Sequence, residues 1–426
     1  MIESPKGVKD ILPQDASYWD FFEEIVKKVA KDFEFSRIRT PIFEKTELFS
    51  RGVGKRTDLV LKEMYSFKTK GGDALTLRPE GTAPVMRSYI EHGMKSLVQP
   101  VKLFYLGPFF RHERPQHLRQ RQFHQVGFET IGLGSSVIDA ELVQVAHAIL
   151  TKMRIEGFEF QINSLGDSNC RPAYLKKIQE YFKTHQRSLC EDCRKSILQR
   201  PLNIFECREE KCLHIARVAP KMIDELCEQC HTHFKELLEF LDEIEIPYAL
   251  NPFIVRGLDY YTRTVFEIWL SIGEGKFSPS ALGGGGRYDG LSTELGGGEI
   301  SASGFALGVE RILSILREKE VSIGNKSSEN KKSIFLAQLG FLARKRSLRL
   351  FSELLKEGIP VIASLARDSL SAQLRIADKV TTEYALILGE KELFDKSIIL
   401  RNMKTGNQEI LEMKNLIPEL KNRLNI

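Results

Sequence analysis

The chain has 426 residues, 42% of them hydrophobic, with 62 Lys+Arg against 57 Asp+Glu for a formal net charge of +5. That length exceeds what one core ordinarily supports and predicts two or three domains. No run approaches the ~18 consecutive apolar residues of a membrane helix, and Met1-Ile2-Glu3-Ser4-Pro5-Lys6 lacks the apolar stretch of a secretory signal, so a cytoplasmic protein is expected. Seven cysteines, few for this length and odd in number, argue against a disulfide scaffold.

Ser4 to Asp10 reads as an irregular opening. A helix is expected from about Ala16 to Asp32, where Trp19, Phe22, Ile25, Val26 and Val29 recur at helical spacing. Phe35 to Phe43 reads as a strand; Pro41 within it removes a ladder donor and assigns it to an edge or an interface. Asp73 to Leu77 is a short strand ending in Arg78-Pro79-Glu80-Gly81-Thr82, and Ala83 to His92 follows as a helix. A carboxylate and a hydroxyl at a strand end accept hydrogen bonds from an ammonium group, and the same residue types also serve as helix caps.

Leu103 to Phe110 and Phe123 to Ile131 are strand-like runs separated by the charged stretch that holds Arg111, His112, Glu113, Arg114, Arg119 and Arg121, an antiparallel hairpin with a basic loop. An arginine at a strand end suits a phosphate, because its planar fork makes two parallel charge-assisted hydrogen bonds. Val137 to Met153 is an amphipathic helix and Phe158 to Leu165 a strand. From about Arg171 to Glu245 the chain turns helical, charged and cysteine-rich, which marks an insertion within the first domain. It holds Cys190-x-x-Cys193, Cys207, Cys212 and Cys227-x-x-Cys230, followed by His231 and His233. Two Cys-x-x-Cys pairs meet the demand of tetrahedral zinc, but the spacer from Cys193 to Cys227 exceeds the usual ~15–20 residues. Buried thiols are the competing reading, so no metal ligand is assigned and a structural zinc on Cys190, Cys193, Cys227 and Cys230 stays an open alternative.

Asn251 to Leu270 is strand-rich and contains Val255-Arg256-Gly257-Leu258-Asp259-Tyr260-Tyr261-Thr262. Ala281-Leu282-Gly283-Gly284-Gly285-Gly286-Arg287-Tyr288-Asp289 lies between strand-like segments, where missing side chains let a ligand approach the backbone. Ala302 to Ile312 is a strand entering a helix. Residues 318–333 are rich in Lys, Ser, Asn and Glu and read as a linker. Ile334 to Gln338, Leu342 to Glu357, Pro360 to Ser364, Ser369 to Val380 and Tyr384 to Leu388 then alternate as strand and helix in an α/β unit. From Lys331 to Ile426 there are 17 Lys+Arg against 11 Asp+Glu, so the basic excess lies in this last part, with Arg344, Lys345, Arg346 and Arg349 on one helix. A basic terminal module suggests an anionic partner.

Three of these stretches resemble the motifs of the class II aminoacyl-tRNA synthetase family: the helix feeding the proline-bearing strand (motif 1), the basic hairpin (motif 2) and Ala302 to Ile312 (motif 3). The wording His112-Glu113-Arg114-Pro115, Gln122-Phe123-His124-Gln125 with Gly127 and Glu129, Val255 to Thr262 and Ala281 to Asp289 is similar to the histidyl branch of that family. The resemblance implies an α+β catalytic domain over 1–320, built on an antiparallel sheet flanked by helices and interrupted by a helical insertion over 171–245. A linker over 318–333 and an α/β anticodon-binding domain over 334–426 complete the implied chain. It implies a homodimer that activates L-histidine with ATP and Mg²⁺ and transfers it to a histidine-specific tRNA. By the same resemblance Arg256 and Arg111 act on the α-phosphate, Phe123 and Arg311 sandwich the adenine, and Glu80, Gly81, Thr82, Gln125, Glu129, Tyr260, Tyr261 and Tyr288 surround the histidine. A synthetase-like regulatory protein would lack the catalytic arginine and the last domain, and this chain has both.

Overall fold

The computed structural model describes residues 2–55, 57–115, 119–273, 276–278, 280–319, 333–364, 367 and 369–425. The chain divides into two compact units, Met1–Ile323 and Gly324–Ile426. Residues 320–332, most of the expected linker, lie outside the described residues.

The first unit is organised by a nine-stranded, mostly antiparallel sheet. Its order is Ser36–Arg37, Val101–Phe110, Gln122–Ile131, Ala302–Gly308, Gly283–Arg287, Thr262–Gly273, Phe158–Ser164 and Tyr248–Leu250, with Lys276–Phe277 pairing beside Thr262–Gly273. Only the short end strands pair in parallel. Successive residues of a strand point to opposite faces, so Val126 and Phe128 enter one core while Phe123, Gln125 and Glu129 face the other way. Four helices, Pro13–Asp32, Ser136–Lys152, Glu228–Glu243 and Val309–Glu318, contribute to the core on the Phe128 face. There Phe35, Phe104, Phe305 and Phe266 form a chain of ring contacts through Phe128, with Phe128 and Phe305 stacked 5.3 Å apart. Such cross-strand aromatic pairs add about 0.5–1.5 kcal/mol each beyond their buried area, so this face supplies packing that leaves the opposite face for polar side chains.

The expected helix from Ala16 begins earlier, at Pro13, because proline in the first helical turn lacks only a donor that the helix would leave unpaired. The expected strand from Phe35 to Phe43 is not continuous. Ser36–Arg37 pairs with Leu103 and Phe104 in the large sheet, while Phe43–Lys45 joins Ala74–Leu77 and Tyr65–Lys68 in a separate three-stranded sheet. Pro41 lies in the break between them, so one stretch of chain serves two sheets.

Residues 171–243 carry four helices, Arg171–Thr184, Glu191–Ser196, Glu210–Arg217 and Glu228–Glu243. The thiols there do not group as the two Cys-x-x-Cys pairs suggested. Cys190 and Cys193 meet Cys207 and Cys212, whereas Cys227 and Cys230 meet Asp167 and Cys170. Sequence spacing failed because the ligand-like pairs are completed by residues isolated in sequence, which the fold brings back.

The second unit has a five-stranded sheet in the order Val361–Ala363, Ile334–Gln338, Tyr384–Leu388, Ser397–Asn402 and Gln408–Glu412. The first three are parallel and joined through helices Phe341–Lys356 and Leu370–Lys379, as the alternation predicts. The antiparallel pair after them and the closing helix Leu416–Leu424 go beyond the sequence reading.

Candidate active site

Six strands of the large sheet and the insertion contribute to a cavity of about 800 Å³ on the polar face of that sheet. Its geometry begins with the hairpin register. Tyr105 stands opposite Gly127 and Leu103 opposite Glu129, which leaves the Glu129 carboxylate beside the tyrosine ring. Tyr105 OH donates to Glu129 Oε1 at 3.4 Å, Thr82 Oγ1 to the same oxygen at 2.9 Å, and Tyr288 OH to Oε2 at 2.5 Å. Glu129 is 1% exposed. Burial pushes its carboxyl up to about 8; the Tyr288 and Thr82 hydroxyls act in the opposite direction, and the nearby Glu80 charge adds to the rise.

Glu80 combines both roles that its sequence context allowed. Its Oε2 accepts from Thr82 N at 2.7 Å and its Oε1 from Ala83 N at 3.0 Å, which caps helix Thr82–Glu91, yet it also lines the cavity. Tyr260 OH donates to Glu80 Oε2 at 3.4 Å. Burial raises the Glu80 pKa against those two backbone bonds. The tyrosines pack together, Tyr260 lying tilted 4.7 Å from Tyr261 and edge-on 5.7 Å from Tyr288. Two buried carboxylates among three phenols make a floor suited to a ligand rich in N–H donors.

The other end of the cavity sets arginines among carboxylates, with Arg111 and Arg119 3.8 and 3.7 Å from Glu113. Arg111 Nε donates to Pro79 O at 2.9 Å and its guanidinium lies 5.3 Å above the Phe123 ring, so the fork is aimed by the neighbouring strand end and an aromatic plate. Arg256 Nη1 donates to Glu267 Oε1 at 2.7 Å, its guanidinium sits 5.4 Å from the Tyr261 ring, and its Nε is buried without a hydrogen-bond partner among the described residues. Burial opposes its charge, but Tyr261 and Glu267 outweigh burial and raise its pKa further. Arg311 donates to the Ala281 carbonyl. Burial, together with the charges of Arg119 and Arg111, lowers its pKa. Arginines crowded at one end of a cavity create a potential that an anion relieves.

Of the residues singled out in the sequence, Glu80, Gly81, Thr82, Arg111, Phe123, Gln125, Arg256, Tyr260, Tyr261 and Arg311 line this cavity. Glu129 and Tyr288 lie beneath its floor and reach it through Thr82, Tyr105 and Tyr260. Arg287, next to Tyr288, is turned away into a buried pair with Asp139 at 2.7 Å. Sequence reasoning missed Glu267, the carboxylate that holds Arg256. Its signal was a lone acid alternating with Val265 and Trp269 in an apolar strand. It also missed Phe205, Glu206 and Arg208, which the insertion contributes to the cavity; nothing local in that segment marks them.

Comparison with known proteins places the chain in a family. A family model described as histidyl-tRNA synthetase matches residues 7–312, and one described as anticodon binding domain matches residues 334–423. The chain belongs to the histidyl-tRNA synthetase family. It is 44% identical over 413 residues to the histidine–tRNA ligase of Desulfitobacterium hafniense strain DCB-2, covering 97% of this chain and 96% of that one. It is 43% identical over 424 residues to the histidine–tRNA ligase of Dehalococcoides mccartyi strain 195, covering 100% of both. The crystal structure of apo S. aureus histidyl-tRNA synthetase superimposes with a TM-score of 0.79 at 34% identity, covering 99% of this chain and 100% of that one. No helix among the described residues is long and apolar enough to cross a membrane.

Proposed function

We infer that this protein is a histidine–tRNA ligase, which joins L-histidine to ATP as histidyl-adenylate, releases pyrophosphate, and transfers the histidyl group to the terminal ribose hydroxyl of its tRNA. The observation that carries this reading is the polarity of a single cavity, with Glu80 and phenols set over the buried Glu129 at one end and Arg111, Arg256 and Arg311 at the other. Histidine is short, with N–H donors at both its α-ammonium and its imidazole. Glu80 and Thr82 take the ammonium group, and the imidazole is turned toward Glu129, which lies behind Thr82 and Tyr105 and takes an N–H as their hydroxyls yield, with Gln125, Tyr260 and Tyr261 closing the sides. That orientation leaves the amino acid's carboxylate facing Arg111 and Arg256.

The carboxylate oxygen attacks the α-phosphate as the bond to pyrophosphate breaks, and negative charge gathers on the non-bridging oxygens. Arg111 and Arg256 meet that charge with donors already fixed by Pro79 and Glu267, so little reorganisation is needed as it develops. The base lies between Phe123 and Arg311. Magnesium would offset the charge of the phosphates; Glu113 and Glu310 at the cavity wall would offer oxygens of the kind it accepts, and both Glu310 oxygens already accept the His124 backbone N–H at 2.9 Å. The second unit reads the anticodon of the tRNA.

A homodimer in the cytoplasm completes the reading. Its support is the exposed Ile42, Phe43 and Phe67 on and beside the small sheet, an apolar patch that a second copy would cover. ATP–pyrophosphate exchange measured with each standard amino acid tests the central claim. Exchange driven by histidine alone is expected; exchange driven by another amino acid, or by none, overturns it.

A further inference from the structure

All seven cysteines of the chain are free thiols, and all seven fall into two clusters. Cys190, Cys193, Cys207 and Cys212 form one, and Cys170, Cys227 and Cys230 form the other together with Asp167. Within each cluster the four ligand atoms lie within 4.8 Å of one another. Tetrahedral zinc with bonds of about 2.3 Å to sulfur sets the sulfurs about 3.8 Å apart. Cys190 Sγ is 3.9 Å from Cys207 Sγ, and Cys170 Sγ is 3.8 Å from Cys230 Sγ. Disulfides would require about 2.05 Å.

Thiols used as plain apolar filler pack against carbon. Here four of them, carried by a helix start, a helix, a loop and a second helix, converge on one point. Backbone N–H groups are aimed at their sulfurs. Cys193 N donates to Cys190 Sγ at 3.4 Å, Cys190 N to Cys212 Sγ at 3.2 Å, and Glu209 N to Cys207 Sγ at 3.4 Å. Such bonds orient and stabilise thiolate ligands. We propose that the segment from Asp167 to Cys230 holds two structural zinc ions, one on Cys190, Cys193, Cys207 and Cys212 and one on Asp167, Cys170, Cys227 and Cys230.

The second site rests on separate residues. Cys227 precedes helix Glu228–Glu243 and Cys230 lies on its first turn, the same placement as Cys190 and Cys193 at helix Glu191–Ser196. Asp167 N donates to Cys170 Sγ at 3.4 Å, and Asp167 Oδ1 faces Cys170 Sγ at 3.7 Å and Cys227 Sγ at 3.9 Å. Its other oxygen pairs with Arg263 at 3.2 Å, a cation placed to offset the net negative charge of three thiolates and a carboxylate on a divalent ion. The two ions have different work. The second ties the chain entering the insertion to the helix that leaves it. The first fixes Cys207, whose neighbours Phe205, Glu206 and Arg208 form a wall of the cavity, so a metal without contact to substrate sets the position of groups beside it.

Elemental analysis of the full chain, expressed in zinc-containing medium and purified without chelator, should find about two zinc ions per chain. Cys212→Ser and Cys230→Ser should each retain about one. Cobalt substitution should give thiolate charge-transfer bands that weaken in both variants, less in Cys230→Ser, because that site has three sulfurs instead of four. Where a serine variant does not fold, releasing the metal from the unmodified protein with an organomercurial and counting it with a metallochromic dye gives the stoichiometry without any substitution. About one ion, lost in one variant and kept in the other, overturns the site whose variant keeps it. A folded, metal-free preparation whose seven thiols all react with an aromatic disulfide overturns both.

Discussion

The two ends of the cavity are built on opposite plans. At the floor Glu129 accepts from three hydroxyls and Glu80 from two backbone N–H groups and a phenol, so most acceptor positions are filled before a ligand arrives. At the rim Arg111, Arg256 and Arg311 are steered by few contacts among the described residues, chiefly to Pro79, Glu267 and Ala281, and keep donors for a ligand. The floor is therefore a template, whose value lies in rejecting what does not match, and the rim is a set of donors waiting for charge. Selectivity and rate should separate on substitution.

The sharpest test of that separation is at the rim. Arg256→Ala is expected to slow adenylate formation about 10²–10³-fold while histidine affinity changes little, the pattern of a contact made chiefly in the transition state; pre-steady-state kinetics with separate binding titrations read both quantities. At the floor, Glu129→Gln should weaken histidine about 10–100-fold, the cost of a buried hydrogen bond lost, and leave ATP nearly untouched. Equal losses for both ligands in calorimetry would mean that Glu129 supports the fold alone.

A third test removes the rest of the molecule from the comparison. A chain ending near Glu320 should still form histidyl-adenylate, provided it dimerises, but charge tRNA poorly. Its tRNA affinity should fall less steeply with salt, by about one in the log–log slope per lost phosphate contact. Arg346 and Arg349 are both paired with Glu353, at 3.1 and 3.0 Å, so the basic helix offers less unpaired charge than the residue count implies. An unchanged slope would remove the second unit from the tRNA footprint. The smallest effect is on stability. Because the Glu129 pKa is raised in the folded, ligand-free protein, the native state binds the extra proton, and stability should decline as pH rises from the ordinary carboxylate range through about 8. Glu129→Gln should flatten that decline in denaturant titrations at a series of pH values.

The frame of the molecule was readable because its long strands and helices carry clean periodicities; the hairpin from Leu103 to Ile131 and the helix from Val137 are within a residue or two of their positions. The arginines and tyrosines of the site were readable only as members of recognisable stretches. What stayed hidden depended on contacts between distant segments. Glu267 has meaning only once Arg256 lies against it, and Cys207 and Cys212 look like isolated thiols until helix Glu191–Ser196 turns Cys190 and Cys193 toward them. Pro41 marked an interruption correctly, yet alternation could not tell that the chain changes sheets there.

Glu129 occupies the space where side chains from neighbouring positions are missing. A Cβ at Gly304 would come within 1.7 Å of Glu129 Oε2, and one at Gly81 or Gly127 would strike the Tyr105 ring at 2.3 or 2.2 Å. Two of these three glycines touch no part of the cavity, so a survey of ligand contacts would pass over them. They nevertheless set how deep an amino-acid side chain can sit, because a single methyl group at any of them would tilt the acceptor or the phenol that braces it. Attempts to redirect the enzyme toward a larger or smaller amino acid by exchanging polar residues alone would be working inside a mould whose dimensions are set from behind, by hydrogen atoms.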